Sequence, residues 1–512
     1  MRLTNTTNMR PDIIVARIAG STDSIYNRLT LLFGVILLSL LLACAPGVGD
    51  TADNGGMSGT GISKGEVTAF GSIYVNGFQW NISDPNINIV IDDEPADATD
   101  LRLGMVVTVR GNYQTGIATM VDCEYSLEGP LEADPVDVVP GGPEKSFEIL
   151  GRTIVIHEVD TEYAGGASFT TLVAGDVVEI SGFTDDNDVI QATLVEKLGD
   201  LSTNNEVSLH DVVSNLIKRS DGTGSFNLGS VLVSYTAPTI FEGITAAGLM
   251  NGDFIEAEGT LQPTGDELEA AFIDLEDEGL GTGNADHANI QGIVSGLVSD
   301  LRFSVDRTEV DATNAVFEPL GFIAMDGSPV EVQGRLVDDV LVADRVQSTV
   351  ELENVRIEAA VASIDTNGSS LSILGLTVFM DGQTKLKDSR DEERNFRLAD
   401  IQPGDWLKIR GRQTGTAEVL ATRIEREDAD TDVSLEGPVT SLDVDAPSLS
   451  IVDQLIPLDV ETRYFDSDSA IRTQEEFFRI PGDVMLGDVV EATDISAEDP
   501  EILGKADEVG LE

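Results

Sequence analysis

Disulfide bonds cannot organise this chain. Its 512 residues hold two cysteines, Cys44 and Cys123, too few for the bridged frameworks that stabilise small exported domains. Histidines are as scarce: His157, His210 and His287 form no cluster spaced for a transition metal, and none is framed with a nucleophile. All three read as incidental surface or strand residues. No glycine-rich phosphate loop opens a helix. Aromatics make up 5% of the chain, with Trp80 and Trp406 its two tryptophans, which leaves little material for a base-stacking platform. Positive charge is also in short supply, with 31 Lys and Arg against 91 Asp and Glu and a net charge of −60. A field of that sign repels phosphate backbones and attracts cations and basic partners. Nucleic acid is thereby excluded as a partner, while the steady alternation of apolar and polar residues marks a folded chain with an acidic shell.

The longest apolar run is Leu29 to Ala43, preceded by Arg2, Arg10, Arg17 and Arg28. Fifteen residues fall short of the roughly 20 that span a bilayer but suit the core of a secretory signal. The run ends in Leu41-Leu42-Ala43-Cys44, which resembles the lipobox of bacterial lipoproteins. The resemblance implies cleavage of residues 1–43, lipid on Cys44, and anchorage in the cell envelope. Ala45 after the cysteine favours the outer membrane over the inner by the same resemblance. Residues 44–62 read as a flexible tether. Cys123, with no partner left, reads as a small core residue, and a reactive thiol is the alternative.

Beyond the tether the chain repeats. Ser-Leu-Glu-Gly-Pro occurs at 126–130 and again at 434–438. A marker glycine recurs at Gly104, Gly175, Gly252, Gly327, Gly404 and Gly487. Aligned on it, the columns three before, three after and five after are apolar in all copies, as in Leu172, Val178 and Ile180. The positions four and six after are polar, which is the period of a strand with one face in a core and one in water. Glycine seven after the marker (Gly111, Gly182, Gly259, Gly334, Gly411; Asp494 in the last copy) reads as the end of that strand. A later strand carries Ala-x-x-apolar in every copy, from Ala118/Val121 to Ala506/Val509, and Thr161, Thr239, Thr384 and Thr462 form a further column. Residues 470–480 have room for one or two helical turns. The order is three strands, a loop or helical turn, then two strands, that of the OB barrel. The expected fold is therefore all-β: six tandem five-stranded OB-like barrels in an elongated array, at 63–127, 128–200, 205–278, 288–351, 354–428 and 432–512 (copies 1 to 6).

Gly65-Glu-Val-Thr-Ala69, Ile73-Tyr-Val-Asn-Gly77 and Leu101-x-x-Gly104-Met-Val-Val-Thr-Val-x-Gly111 resemble the repeated unit called domain of unknown function 5666. The likeness is closest over 63–127, fair in copies 2, 5 and 6, and weaker in copies 3 and 4. Copy 4 departs most, with Ser328-Pro329 after its marker. The resemblance implies a small β-barrel and export. It brings no activity and no site residues.

No catalytic residue stands out. Calcium is the one cofactor the sequence offers: Asp185, Asp186 and Asp188, with Asn187, concentrate hard oxygen ligands in one loop, as do Asp365-Thr-Asn367-Gly368 and Asp466-Ser-Asp468. None has EF-hand spacing, and plain acidic turns explain them as well. The favoured reading is a non-catalytic, envelope-anchored scaffold or adhesion arm that meets the membrane through its lipid. A calcium- or glycan-binding module array comes second, and an enzyme last. The partner classes left open are cations, glycans and envelope proteins, and nothing in the sequence speaks to oligomeric state.

Overall fold

Each marker glycine sits where an L side chain would be strained. In the computed structural model, which describes residues 59–512 apart from 186, 202–204, 263–264, 277–278, 282, 351–352, 367–368, 392–395, 444 and 480–482, all six have φ between +83° and +101°. The glycine N–H donates to a carbonyl at the copy's first strand: Val67, Leu131, Val213, Val294, Val361 or Val439, at 2.8–3.1 Å. That same residue's N–H returns a bond to the residue after the glycine, at 2.8–2.9 Å. The side chain following the glycine ties off the turn by accepting the N–H three residues upstream, as Asp253 does from Met250 (2.6 Å) and Asp405 from Gln402 (2.8 Å). Ser328 of copy 4, the departure in sequence, does the same for Met325 (3.1 Å).

The apolar columns form the cores. The residues three and five after the marker are buried in every copy, each large one contributing roughly 1.5–3 kcal/mol. Glycine seven after the marker does not end its strand. The strands Val106–Asn112, Asp176–Thr184, Phe254–Leu261, Pro329–Val337 and Trp406–Gly415 run through it. The register slips by one residue there, with the extra residue on the last strand (Thr119, Thr193, Ala271, Asp344 or Thr422), so the glycine lies opposite a β-bulge. A Cβ on Gly334 would lie 2.1 Å from the Val342 carbonyl oxygen.

Copies 3 and 4 close as five-strand barrels. In copy 3 the long first strand Glu206–Lys218 pairs with both Gly224–Leu228 and Phe254–Leu261. The third strand, Val231–Tyr235, runs parallel to the last, Glu267–Leu275. The ring order is first, second, third, fifth, fourth, the OB order. Copy 4 repeats it from Ala285–Ser299. Among the described residues the other four copies share the strand order without a continuous closing ladder, so two of the six expected barrels are seen closed. Short strands are the reason. Copy 2 opens on the four residues Leu127–Pro130, and copy 1 meets its last strand through the single bridge Asn81–Ile117. Among the described residues the helical elements are Gln474–Phe478, inside the segment read as helical, and the 3-10 turn Leu398–Asp400.

The copies are not strung in a row. Three sheets each join two of them. Copies 2 and 3 pair through Leu127–Pro130 and Glu206–Lys218, and copies 5 and 6 through Val355–Ala360 and Val433–Asp443. Copy 1, from Thr60–Ala69, runs parallel to Ala285–Ser299 of copy 4; its first strand thus begins inside the segment read as tether. Copies 2 and 3 share one apolar core, as do copies 5 and 6. Residues 57–512 form one compact unit, in place of the elongated array. The physical cause is the first strand's free edge: each copy leaves hydrogen-bonding groups there, and pairing with another copy satisfies them.

Candidate metal centre

The residues singled out in sequence go to separate places. Cys44, its lipobox and Asp186 lie outside the described residues. Asp185 is spent on its own turn, accepting the N–H groups of Asn187 (2.8 Å) and Val189 (3.0 Å), and Asp188 pairs with Arg152 at 2.9 Å. Asp466 likewise caps its turn, from Asp468 (3.1 Å) and Ala470 (2.8 Å), and binds Arg472. Asn367 and Gly368 of the third acidic turn also fall outside the description. The tryptophans are core residues: Trp80 is fully buried, its indole donating to Ser63 (3.0 Å), and Trp406 is 2% exposed. Cys123 is buried in the core of copy 1, and burial pushes its thiol well above the ordinary value, which fits the core reading over the reactive one.

His157 and His287 are incidental. The first accepts two turn N–H groups at Nδ1, and the second stacks on Tyr113 with ring centroids 4.3 Å apart. His210 is not. It stands directly opposite Glu256 on the paired strands of copy 3, on the barrel's outer face, with Nε2 3.8 Å from Glu256 Oε1. That face carries polar residues because they point away from the copy 3 core, and it is buried by copy 1. Glu124 comes from there, immediately after the strand Ile117–Cys123. One ligand atom from each of Glu124, His210 and Glu256 lies within 4.8 Å of the others. Both ring nitrogens of His210 are buried and neither makes a well-aligned hydrogen bond, the Ser126 backbone being the polar group beside the ring; Glu124 Oε2 and Asp92 Oδ1 are buried without partners. Ser208 donates to Glu256.

The electrostatics follow from burial. Desolvation lowers His210 to about 4 despite the fields of Asp92 and Asp93, keeping the imidazole neutral. Burial and the neighbouring acids Asp93 and Glu256 raise Glu124 to about 10. Glu256 rises to about 7 through burial, against the Ser208 bond, and Asp92 to about 7 through burial and Glu256.

A second buried group of charges contrasts with this one. Glu66 of copy 1 meets Lys385 of copy 5 at 2.8 Å, and Glu162 of copy 2 meets Arg423 (2.7 Å) and Lys387 (3.2 Å), also of copy 5. Gln383 donates to Glu331 of copy 4 at 2.6 Å. Here acids and cations are matched, and the arrangement joins copies. A neighbouring cavity of about 260 Å³ is lined by five cations, among them Arg356, Lys408 and Arg410, beside the four acids Glu158, Glu358, Glu425 and Glu427.

Sequence reading missed Glu124, His210 and Glu256. His210 sits at a polar position of an alternating strand and Glu256 in the polar column four after the marker, where water was expected. No local signal tells that copy 1 covers that face.

Comparison with known proteins identifies the unit. A family model described as domain of unknown function 5666 matches residues 129–196, 216–274 and 358–425. These fall in copies 2, 3 and 5; copy 1, where the resemblance looked closest, lies outside them. No curated protein matches the chain. Among solved structures, a Drosophila chain described as Unr CSD456 aligns at 16% identity and a TM-score of 0.12, covering 44% of this chain and 97% of its own. Copies 2, 3 and 5 are thus the regions of the chain that match the model of domain of unknown function 5666.

Proposed function

We propose that the chain is a non-catalytic scaffold of the bacterial cell envelope, exported and held to the membrane by lipid on Cys44. The observation that carries the scaffold reading is the set of ladders between copies. Sheets continue from copy 2 into 3, from 5 into 6 and from 1 into 4, so the repeats make one body. Many of the scarce cations are used inside its joints, among them Lys385, Lys387, Arg423 and Arg152. The remaining acids leave an outer surface suited to a basic partner, with salt weakening the attraction. The lipobox resemblance supports the anchor, whose two or more acyl chains suffice for stable attachment.

The test is detergent-phase partition and membrane fractionation of the full chain and of Cys44→Ser. The parent should enter the detergent phase and the envelope fraction, and the variant should be released to the aqueous phase. A parent that stays aqueous would sink the anchor. A turnover abolished by substituting side chains of one copy would sink the non-catalytic part.

A further inference from the structure

We propose that Glu124, His210 and Glu256 bind one divalent transition cation of the zinc type between copies 1 and 3. This stands apart from the scaffold reading, since it holds whether or not Cys44 carries lipid.

The argument begins with what faces what. A neutral imidazole presents one lone pair, and carboxylates present only lone pairs unless protonated. His210 Nε2 and Glu256 Oε1 face each other at 3.8 Å, with Glu124 completing a triangle no wider than 4.8 Å. Without a cation, burial keeps protons on this group; a cation that displaces them would find three converging donor atoms, with Glu124 Oε2 buried and without a hydrogen-bond partner. Unsatisfied buried polar atoms cost about 1–3 kcal/mol each in proteins generally and are rare without a reason. Tetrahedral ligands 2.0–2.2 Å from a metal stand roughly 3.3–3.6 Å from one another, so the His210–Glu256 side is nearly right and a side as wide as 4.8 Å must close by roughly 1.2–1.5 Å.

Packing holds the three donors independently of any ion. Two lie on adjacent strands of a closed barrel in fixed register. The third follows a strand whose end is clamped, with the Asp92 N–H donating to the Cys123 carbonyl at 2.9 Å. Asp92 and Asp93, both at positive φ, form the tip of the hairpin between Asn88–Ile91 and Glu94–Pro95 and add negative field over the site. Lys64, the nearby cation, is engaged by Asp306 of copy 4 at 2.5 Å.

The donor set chooses the ion. Imidazole with two carboxylates suits zinc and its neighbours, whereas calcium and magnesium take oxygen ligands and a larger coordination number. Three protein donors leave a fourth position for water. Because Glu124 belongs to copy 1 and the other two to copy 3, the ion would link repeats that are not sequence neighbours.

The experiment uses the full chain in detergent, stripped with a chelator and held in excess magnesium to occupy weak surface carboxylates. Zinc is titrated against a chromogenic competitor, and thermal unfolding is followed with zinc or calcium. One tight equivalent and a zinc-specific rise in the unfolding midpoint are expected. Changes one shell out from a metal weaken binding about 10- to 100-fold, so His210→Gln and Glu124→Gln should each weaken it about 100-fold or more. Glu124→Gln guards against a folding defect, because the amide matches in shape the protonated carboxyl that burial favours there. Cobalt(II) in place of zinc should give a visible absorption band that His210→Gln loses. Equal zinc binding by parent and both variants, no tight equivalent, or an equal response to calcium would overturn the proposal.

Discussion

Arg423 and Glu162 lie 261 positions apart in sequence and form a buried ion pair, Nη1 to Oε1 2.7 Å, with neither side chain more than 7% exposed. The pair fastens copy 5 to copy 2. Removing one member leaves the other charged and desolvated, which typically costs about 3–5 kcal/mol. Arg423→Ala should therefore destabilise the chain by that order in chemical denaturation. The double variant Arg423→Met with Glu162→Leu should recover much of the loss. A single variant as stable as the parent would show that the joint is solvated.

The same pair sets an acid limit. Burial by itself would raise the Glu162 carboxyl, but Arg423 and Lys387 outweigh it and hold the group at about 2, below its ordinary 4.5. A carboxyl lowered on folding stabilises the fold above its unfolded value, and the contribution disappears as pH falls from about 4.5 through 2. The gap corresponds to roughly 3 kcal/mol. Denaturation midpoints of the parent and Glu162→Gln, measured from pH 7 to pH 2.5, should converge below pH 4. Curves that stay parallel would contradict the assignment.

The threonine column has a single job in four copies. Thr384 Oγ1 donates to the Ala421 carbonyl at 2.8 Å and accepts the Asp381 N–H at 3.1 Å. Thr161, Thr239 and Thr462 donate in the same way to Ala192, Ala270 and Ala506 at 2.7–2.8 Å. Each ties the segment after the third strand to the alanine of the last strand. Thr384→Val keeps the shape and leaves the buried Ala421 carbonyl without this donor and the partly buried Asp381 N–H without its acceptor, so a loss of about 1–3 kcal/mol is expected. Thr384→Ser, which retains the hydroxyl, should lose less. Thermal unfolding of the two variants together separates the hydroxyl's role from that of the methyl.

These columns show what was legible. Period-two alternation identified the inward residues of each copy, because the core demands them whatever surrounds it. The polar face was misread as wet. Glu256 and Glu331 stand in the column four after the marker, and both are buried against other copies. A glutamate facing water and one covered by another copy's glutamate or glutamine look the same in sequence. Ser-Leu-Glu-Gly-Pro was visible as a string but not as a joint. Its two leucines, Leu127 and Leu435, lie opposite Leu209 of copy 3 and Ile357 of copy 5, and its glycines leave room there. A Cβ on Gly129 would meet Ile149 at 2.7 Å, and one on Gly437 would meet Val452 at 2.4 Å. His210 reads in sequence as an incidental strand residue for the same reason, since Glu124 arrives from another copy.

The two glycine columns differ in why they need glycine, and substitution should separate them. Gly327 has φ +83° and nothing within 4 Å of an added Cβ, so Gly327→Ala meets only the left-handed backbone penalty, about 1–2 kcal/mol. Gly334 lies opposite the bulge at Asp344, where an added Cβ would meet the Val342 carbonyl oxygen at 2.1 Å. Gly334→Ala must push two paired strands of copy 4 apart, and overpacking of this kind costs roughly 1–3 kcal/mol or more with local loss of the ladder. Hydrogen exchange reads the difference directly. Gly327→Ala should lower protection across copy 4 evenly, whereas Gly334→Ala should expose the amides of Val340–Ser348 first. Equal and uniform effects would mean that the bulge is soft enough to absorb a methyl group, and that conformation alone explains both columns.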